Sequence, residues 1–250
     1  MKITPHEYDF GAAIEGVDLS ASLTEAQTMR IREAWLRHRV VYFPDQTMSH
    51  DQLEAFSQTI GPFGDDPYVQ AIDGHEHIVE VRREADEDVP LFGGTWHSDW
   101  SFQKTPPNAT ILHAKVIPPV GGGTHYADGV RAYQNLDPVL QAELDHLSAI
   151  HSARKPYSHA GVKAGGGDRR SMTLLPSDDA LKTQLHPLVR THPETGQKAL
   201  WVNPLYTIGI DGLADAESDQ MLARLFDHMK QPEFVYCHHW RPNMLMIWDN

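Results

Sequence analysis

The sequence predicts a mixed β fold with a few covering α-helices, arranged as a jelly roll of two facing sheets. Three observations support this class: short apolar runs with strand periodicity, glycines and prolines that bound those runs, and a small number of capped amphipathic helices. A chain of 250 residues lies within the range of one ordinary domain. Residues 1–250 are therefore expected to form a single domain.

The first part of the chain alternates helix and strand signals. Thr24 followed by Gln27 forms a capping-box pattern, and the apolar side chains after it fall on one helical face. Residues 40–43, Val-Val-Tyr-Phe, are typical of a buried strand. Ser49 and Gln52 repeat the capping signal, and a Gly-Pro pair ends that second helix.

The later part of the chain contains the same kinds of signal. Apolar and polar residues alternate strictly over 109–116, which predicts a half-buried strand stopped by two prolines. Asp137-Pro138 predicts a helix start, and leucine and methionine spacing over 221–229 predicts another helix whose apolar stripe is core packing. The continuous apolar run 244–248 predicts a strand buried on both faces.

Composition excludes several classes of protein. The formal net charge of −13 argues against binding to nucleic acid, which requires basic surfaces. No apolar run is long enough to cross a bilayer, and the N-terminus lacks the apolar core of a signal peptide, so a soluble, cytoplasmic protein is expected. Cys237 is the only cysteine, so a metal would have to bind His, Asp or Glu. The composition leaves a homo-oligomeric state open.

The residues with the most specific chemistry are His97 and Asp99, in the segment Trp-His-Ser-Asp. An imidazole and a carboxylate two residues apart can bind one metal ion from the end of a strand. They would supply two ligands of the 2-His-1-carboxylate facial triad, which leaves positions open for a chelating cosubstrate and O₂. Alone, His-x-Asp is a weak signal, because a hydrogen-bonded pair at a strand end has the same pattern.

Several further motifs occur in a specific order around this segment. The chain resembles the taurine/2,4-D dioxygenase family of Fe(II)- and 2-oxoglutarate-dependent enzymes over nearly its whole length. The segments that carry the resemblance are Gly16-Val17-Asp18-Leu19, Trp96-His97-Ser98-Asp99, Thr105-Pro106-Pro107, residues 121–128 (Gly-Gly-Gly-Thr-His-Tyr-Ala-Asp), residues 186–196, residues 199–203, Trp240-Arg241-Pro242-Asn243 and Ile247-Trp248-Asp249-Asn250. The resemblance implies a double-stranded β-helix, a cupin-like jelly roll, with iron at its mouth.

The resemblance also implies the chemistry and several residue roles. His97 and Asp99 would be iron ligands and catalytic residues, and the hydroxyl of Thr124 would help hold the distal carboxylate of 2-oxoglutarate. The reaction would use O₂ to hydroxylate an unactivated C–H bond of a small organic acid, with release of succinate and CO₂. The alternative for Thr124 is a turn threonine that caps its own backbone beside the glycines.

In the family, the second histidine ligand and an arginine that pairs with 2-oxoglutarate follow the Trp-Asp-Asn motif, so both would lie beyond Asn250. Because the chain stops inside an apolar strand, we expect it to be truncated at its C-terminal end. The alternative is a catalytically inactive ligand-binding protein of the same fold that lacks the third iron ligand.

Two polar segments, near 68–92 and 157–176, are interpreted as insertions and as candidate lids, although ordinary solvated loops have the same composition. Trp100 and Phe102 follow the Asp99 ligand; on a strand they would face one side and could form an apolar substrate wall, with core packing as the equal alternative.

The substrate itself is less well specified by the sequence. Compared with taurine dioxygenases, residues expected to bind taurine are absent before His97, which makes a taurine assignment doubtful. Arg82 and Arg83 could pair with a substrate carboxylate, as in the aryloxyalkanoate branch, or simply with nearby acids. Aryloxyalkanoates, sulfonates and other small organic acids all remain open.

Overall fold

The protein is described by a computed structural model that covers residues 1–250. None of its helices is both long and apolar enough to span a membrane. The helices are α1 (Glu25–His38), α2 (His50–Ile60), α3 (Gly129–Gln134), α4 (Pro138–Leu144), α5 (Arg154–Tyr157), α6 (His159–Ala164) and α7 (Asp215–Met229). The strands are β1 (Lys2–Pro5), β2 (Ala12–Glu15), β3 (Val40–Phe43), β4 (Ala71–Ile72), β5 (His75–Val79), β6 (Ala109–His113), β7 (Thr124–Ala127), β8 (Ser148–Ser152), β9 (Thr183–Pro187), β10 (Val189–Thr191), β11 (Lys198–Leu200), β12 (Thr207–Ile210), β13 (Val235–His238) and β14 (Leu245–Asp249).

The largest sheet has five strands in the order β1-β2-β3-β14-β6. The predicted buried strand at 244–248 is confirmed as β14, which pairs antiparallel with β3 on one side and with β6 on the other. Leu245, Met246 and Ile247 have 0% exposure. Helices α1 and α2 cover this sheet, and Trp35 of α1 packs in the same apolar cluster as Leu245 and Ile247.

The other strands form smaller sheets. One has the order β12-β8-β9, and three are pairs, β13 with β7, β10 with β11, and β4 with β5. A second apolar core joins α3, α4 and α7 to these strands, with Leu144 and Leu225 fully buried at its centre. The architecture is therefore mixed, with several sheets and covering helices.

Both predicted capping boxes are present. The side chains of Thr24 and Ser49 accept from the backbone of Gln27 and Gln52, whose own side chains reach back to the caps. The helix predicted from Asp137-Pro138 is also confirmed as α4. These helix starts follow from hydrogen bonds within three residues, which is why local sequence predicts them.

Two strand predictions need correction. The strand predicted over 109–116 ends at His113, and Val116 is 89% exposed, because the partner strand β14 begins only at Leu245, opposite His113. The segment that carries His97 contains no strand; a turn begins at Asp99, and Trp100 has a left-handed φ of 49°. The buried Ser101 hydroxyl contacts His151 Nδ1 at 3.0 Å, which anchors the turn to β8.

Candidate active site

His97 and Asp99 lie in the long connection between β5 and β6. Their Nε2 and Oδ1 atoms are 3.1 Å apart, and the two side chains are only 23% and 20% exposed. Two bonds of about 2.1 Å that meet at about 90° on a first-row metal ion would place their donor atoms about 3.0 Å apart. The two side chains therefore have the spacing of adjacent ligands on one ion.

Each of the two side chains is oriented through its other polar atom. His97 Nδ1 lies 2.6 Å from the carbonyl oxygen of Thr95, so that Nδ1–H donates to this carbonyl and Nε2 faces Asp99. The Thr110 hydroxyl on β6 donates to Asp99 Oδ2 at 2.6 Å, so that the other oxygen, Oδ1, faces His97 Nε2. Metal ligands in proteins are usually held by outer hydrogen bonds of this kind.

The two groups shift each other's ionisation. Burial by itself would lower the pKa of His97, but the hydrogen bond and charge of Asp99 outweigh it, and the pKa of His97 is raised. Burial would likewise raise the pKa of Asp99, but hydrogen bonds from His97, Thr110 and Trp248 outweigh it and the pKa is lowered. Without a metal ion, each group therefore favours the charged form of the other.

The end of the chain lies beside this pair. Trp248 is the partner of Thr110 in the register of β14 with β6, and it is one of the groups that lower the pKa of Asp99. Asn250 Nδ2 donates to Thr110 Oγ1 at 2.9 Å. Thr110 was not predicted as a site residue. The alternation over 109–116 indicated its strand, but only the pairing of that strand with β14 brings Thr110 to Asp99.

Thr124 is the first residue of β7, and its hydroxyl does not cap its own backbone. Instead, Thr124 Oγ1 accepts a hydrogen bond from Trp240 Nε1 at 2.9 Å. Since an indole can only donate, the hydroxyl hydrogen of Thr124 remains available to an acceptor. The strand position and the Trp240 contact are evidence against the turn-threonine alternative.

Trp100 and Phe102 do not form one wall. Trp100 lies over Gly64, where an added Cβ would stand 3.3 Å from the indole ring. Phe102 packs 5.0 Å from Tyr206 and 5.6 Å from Tyr68, measured between ring centroids. The prediction that both face one side is wrong, because the turn at Trp100 breaks the two-residue alternation of a strand.

Phe102 belongs to a group that we call the aromatic cluster, formed by Tyr68, Phe102, Tyr157 and Tyr206. Tyr206 also lies edge-on to His97, with ring centroids 6.2 Å apart. Tyr68, Tyr157 and Tyr206 are each no more than 5% exposed. The cluster therefore connects one of the predicted substrate residues to one of the predicted metal ligands.

The two predicted insertions contact each other. Leu175 N donates to Tyr68 O, Gln70 N donates to Thr173 O, and Glu87 Oε2 accepts from the Ser171 backbone amide at 2.9 Å. Hydrogen bonding by Ser171 holds the pKa of Glu87 below its usual range.

Both arginines of the first insertion are paired with nearby acids. Arg82 pairs with Glu84, and Arg83 donates to Glu87 and to the carbonyl of Val89. The nearby-acid alternative therefore describes both arginines. Each guanidinium already has a carboxylate partner within the protein.

A separate group with metal-ligand chemistry occurs on α2 and β5. Asp51, Glu54 and His75 offer ligand atoms that lie within 4.8 Å of one another. His75 Nδ1 and Glu54 Oε2 are 3.0 Å apart, which is an ordinary hydrogen-bonded pair. This group shares no residue with the His97–Asp99 pair.

The model of the family described as "Taurine catabolism dioxygenase TauD, TfdA family" matches residues 2–250. The chain belongs to this family. An (S)-phenoxypropionate/alpha-ketoglutarate-dioxygenase from Sphingobium herbicidovorans is 34% identical, with 99% of this chain and 86% of the relative aligned. An alpha-ketoglutarate-dependent 2,4-dichlorophenoxyacetate dioxygenase from Cupriavidus pinatubonensis is 32% identical over 96% of this chain and 86% of the relative.

The fold agrees with this membership. The crystal structure of a taurine dioxygenase from Burkholderia xenovorans superimposes with a TM-score of 0.81 at 31% identity, covering 99% of this chain and 79% of the other. The protein is thus a 2-oxoglutarate-dependent dioxygenase, an oxidoreductase that uses Fe(II) and takes 2-oxoglutarate as cosubstrate. The alternative of an inactive binding protein finds no support among these relatives.

Proposed function

We propose that this dioxygenase binds Fe(II) through His97 and Asp99 and hydroxylates a small organic acid with an aryl or other bulky apolar body. O₂ is the oxidant, and 2-oxoglutarate is converted to succinate and CO₂. The observation that carries the metal assignment is the 3.1 Å approach of His97 Nε2 to Asp99 Oδ1, with the opposite atom of each side chain already hydrogen-bonded.

The sheets fit the finer description of the fold as a double-stranded β-helix. In this proposal, the five-stranded sheet containing β14 and the sheets formed by β7 to β13 are the two faces of one jelly roll in a single domain. The His97–Asp99 pair then lies at the mouth of this jelly roll, beside β6. The two joined insertions would act together as a lid.

Iron, when bound, supplies open coordination positions for 2-oxoglutarate and O₂. The protein binds and orients the ion and the cosubstrate. His97 and Asp99 fix the position of the ion, Thr110 and Thr95 fix the orientation of these two side chains, and Thr124 offers a hydroxyl hydrogen to the distal carboxylate of 2-oxoglutarate. Oriented donors in a site that excludes water bind a carboxylate more strongly than exposed ones.

The substrate assignment rests on the aromatic cluster beside His97. Aromatic side chains contribute large apolar contact area and favourable edge-to-face contacts with another ring. Two similar relatives are named for phenoxypropionate and 2,4-dichlorophenoxyacetate, which both contain an aryl ring and a carboxylate. We therefore expect an aryloxyalkanoate to be a better substrate than taurine.

The metal assignment is tested by substitution of each ligand. His97→Ala and Asp99→Ala should each abolish Fe(II)-dependent succinate formation and weaken Mn(II) binding. His113→Ala is the matched control, because His113 Nε2 contacts the carbonyl oxygen of Gln46 and not His97 or Asp99. Undiminished succinate formation in His97→Ala would overturn the assignment.

The substrate assignment is tested with a panel of acids. Succinate formation would be followed with aryloxyalkanoates, alkylsulfonates and taurine, using the wild type, Phe102→Ala and Trp100→Ala. Phe102→Ala should lose the preference for aryl acids, because Phe102 lies in the aromatic cluster. Trp100→Ala should retain more of this preference. Strong turnover of taurine with no turnover of aryl acids would refute the substrate assignment and leave the iron assignment intact.

A further inference from the structure

A buried histidine near Thr124 has one ring nitrogen without a hydrogen-bond partner. His238, at the end of β13, is 2% exposed, and its Nε2 atom has no partner. Buried polar atoms in folded proteins are nearly always paired, because leaving one unpaired costs free energy. An unpaired nitrogen inside a ligand-binding fold therefore indicates a group that completes the hydrogen bond.

The position of His238 relates it directly to the proposed cosubstrate site. Thr124 and His238 are opposite each other in the antiparallel register of β7 with β13, so their side chains emerge on the same face of this pair. Trp240 connects them: its Nε1 donates to Thr124 Oγ1 at 2.9 Å, and its ring lies 4.7 Å from the His238 ring.

The other ring nitrogen of His238 favours one tautomer. Nδ1 lies 2.8 Å from the hydroxyl of Tyr236, which is also 3.2 Å from His6 Nε2. When His6 Nε2–H donates to the Tyr236 oxygen, the single hydroxyl hydrogen goes to the nearer acceptor, His238 Nδ1. Burial lowers the pKa of His238 to about 4, so the ring is neutral at ordinary pH. In a neutral imidazole one nitrogen donates and the other accepts. When Nδ1 accepts from Tyr236, Nε2 carries the hydrogen and is a donor without an acceptor.

We propose that His238 is a cosubstrate-binding residue whose Nε2–H donates to the distal carboxylate of 2-oxoglutarate beside the Thr124 hydroxyl. This inference rests on the role proposed for Thr124. The carboxylate supplies what the site lacks, since it is an acceptor with several lone pairs and Thr124 also has a free hydroxyl hydrogen.

A second unpaired buried atom in this interior is assigned differently. Tyr126 Oη also has no partner, but the charge of Asp99 contributes to the raised pKa of Tyr126, after burial, and its ring lies 5.5 Å from Trp248. Tyr126 also lies opposite Tyr236 in the register of β7 with β13, with ring centroids 6.3 Å apart, so it borders both Trp248 and the Tyr236–His238 contact, and its hydroxyl is assigned no ligand.

The test compares two keto acids that differ only at the distal end. In 2-oxovalerate a methyl group replaces the distal carboxylate of 2-oxoglutarate. Binding of each to the full-length protein with Mn(II) would be measured by calorimetry for the wild type, His238→Phe and His238→Gln. His238→Phe should weaken 2-oxoglutarate about tenfold, the loss of one hydrogen bond to a carboxylate, and leave 2-oxovalerate unchanged. His238→Gln, which retains an N–H donor, should recover most of the loss.

Each other result has a definite meaning. Equal weakening of both keto acids would mean that His238 only supports the structure, and unchanged 2-oxoglutarate binding would also overturn the proposal. If wild-type protein bound neither keto acid, the proposed function itself would fail. Should His238→Phe not fold, Tyr236→Phe serves as the second variant, because it removes the hydroxyl at Nδ1; it should weaken 2-oxoglutarate selectively, and no selective effect would refute the proposal.

Discussion

Thr110→Val is the sharpest test of how the side chains of the His97–Asp99 pair are oriented. Asn250 Nδ2 can only donate, so the Thr110 hydroxyl accepts from Asn250 and commits its single hydrogen to Asp99 Oδ2, at 2.6 Å. Valine has nearly the shape of threonine and removes this donor. Asp99 Oδ1 would keep its 3.1 Å contact with His97 Nε2, but the carboxylate would rotate more freely.

The size of the effect follows from the kind of bond that is lost. A hydrogen bond to a charged group contributes about 1.5–3 kcal/mol, and removal of an outer hydrogen bond to a metal ligand typically costs about 10–100-fold in metal affinity. We therefore expect Thr110→Val to bind Mn(II) or Fe(II) about 10–100-fold more weakly. The pKa of Asp99 should also rise, because Thr110 is one of the donors that lower it.

The assay is a Mn(II) titration of the full-length protein in the presence of 2-oxoglutarate, followed by electron paramagnetic resonance. Thr110→Ser restores the hydroxyl and should recover most of the affinity. Thr59→Val is the matched control, because that hydroxyl donates to the Phe56 carbonyl within α2. Wild-type affinity in Thr110→Val would refute the reasoning and show that Asp99 is oriented without Thr110.

Four further outcomes are expected. Thr124→Val should raise the KM for 2-oxoglutarate about tenfold, since one hydrogen bond to a carboxylate contributes roughly 1.5 kcal/mol; an unchanged KM in initial-rate assays would assign Thr124 a purely structural role. The pKa of His97 is raised in the metal-free protein, and a metal ion binds only the neutral imidazole, so metal binding must release the His97 proton. The Mn(II) affinity measured by calorimetry should therefore fall as pH drops through this pKa. An affinity that does not depend on pH would contradict the pairing of His97 with Asp99. In the metal-free protein the stabilisation from His97 should be lost as pH rises through its raised pKa, and that from Asp99 as pH falls through its lowered pKa, which pH-dependent thermal denaturation would detect. Glu87→Ala removes the acceptor of the Ser171 amide, so proteolysis should cut the two insertions faster while the global melting temperature changes little; unchanged cleavage would mean that this contact does not hold them together.

Local sequence was sufficient wherever the deciding contacts are local. The capping boxes at Thr24 and Ser49 are hydrogen bonds across three residues, so the helix starts could be read directly. The apolar run at 244–248 predicted a buried strand because a strand covered on both faces needs no polar alternation. His97 and Asp99 could be paired because only one residue separates them.

The sequence by itself determined the class of fold, the candidate iron ligands and, through the resemblance, the family. Only the tertiary structure decided which residues support those candidate ligands and which surround the proposed cosubstrate site. Thr110 reaches Asp99 through the register of β14 with β6, and His238 reaches Thr124 through the register of β13 with β7. These pairings join residues far apart in the chain, and strand register depends on long-range packing that a local pattern does not specify.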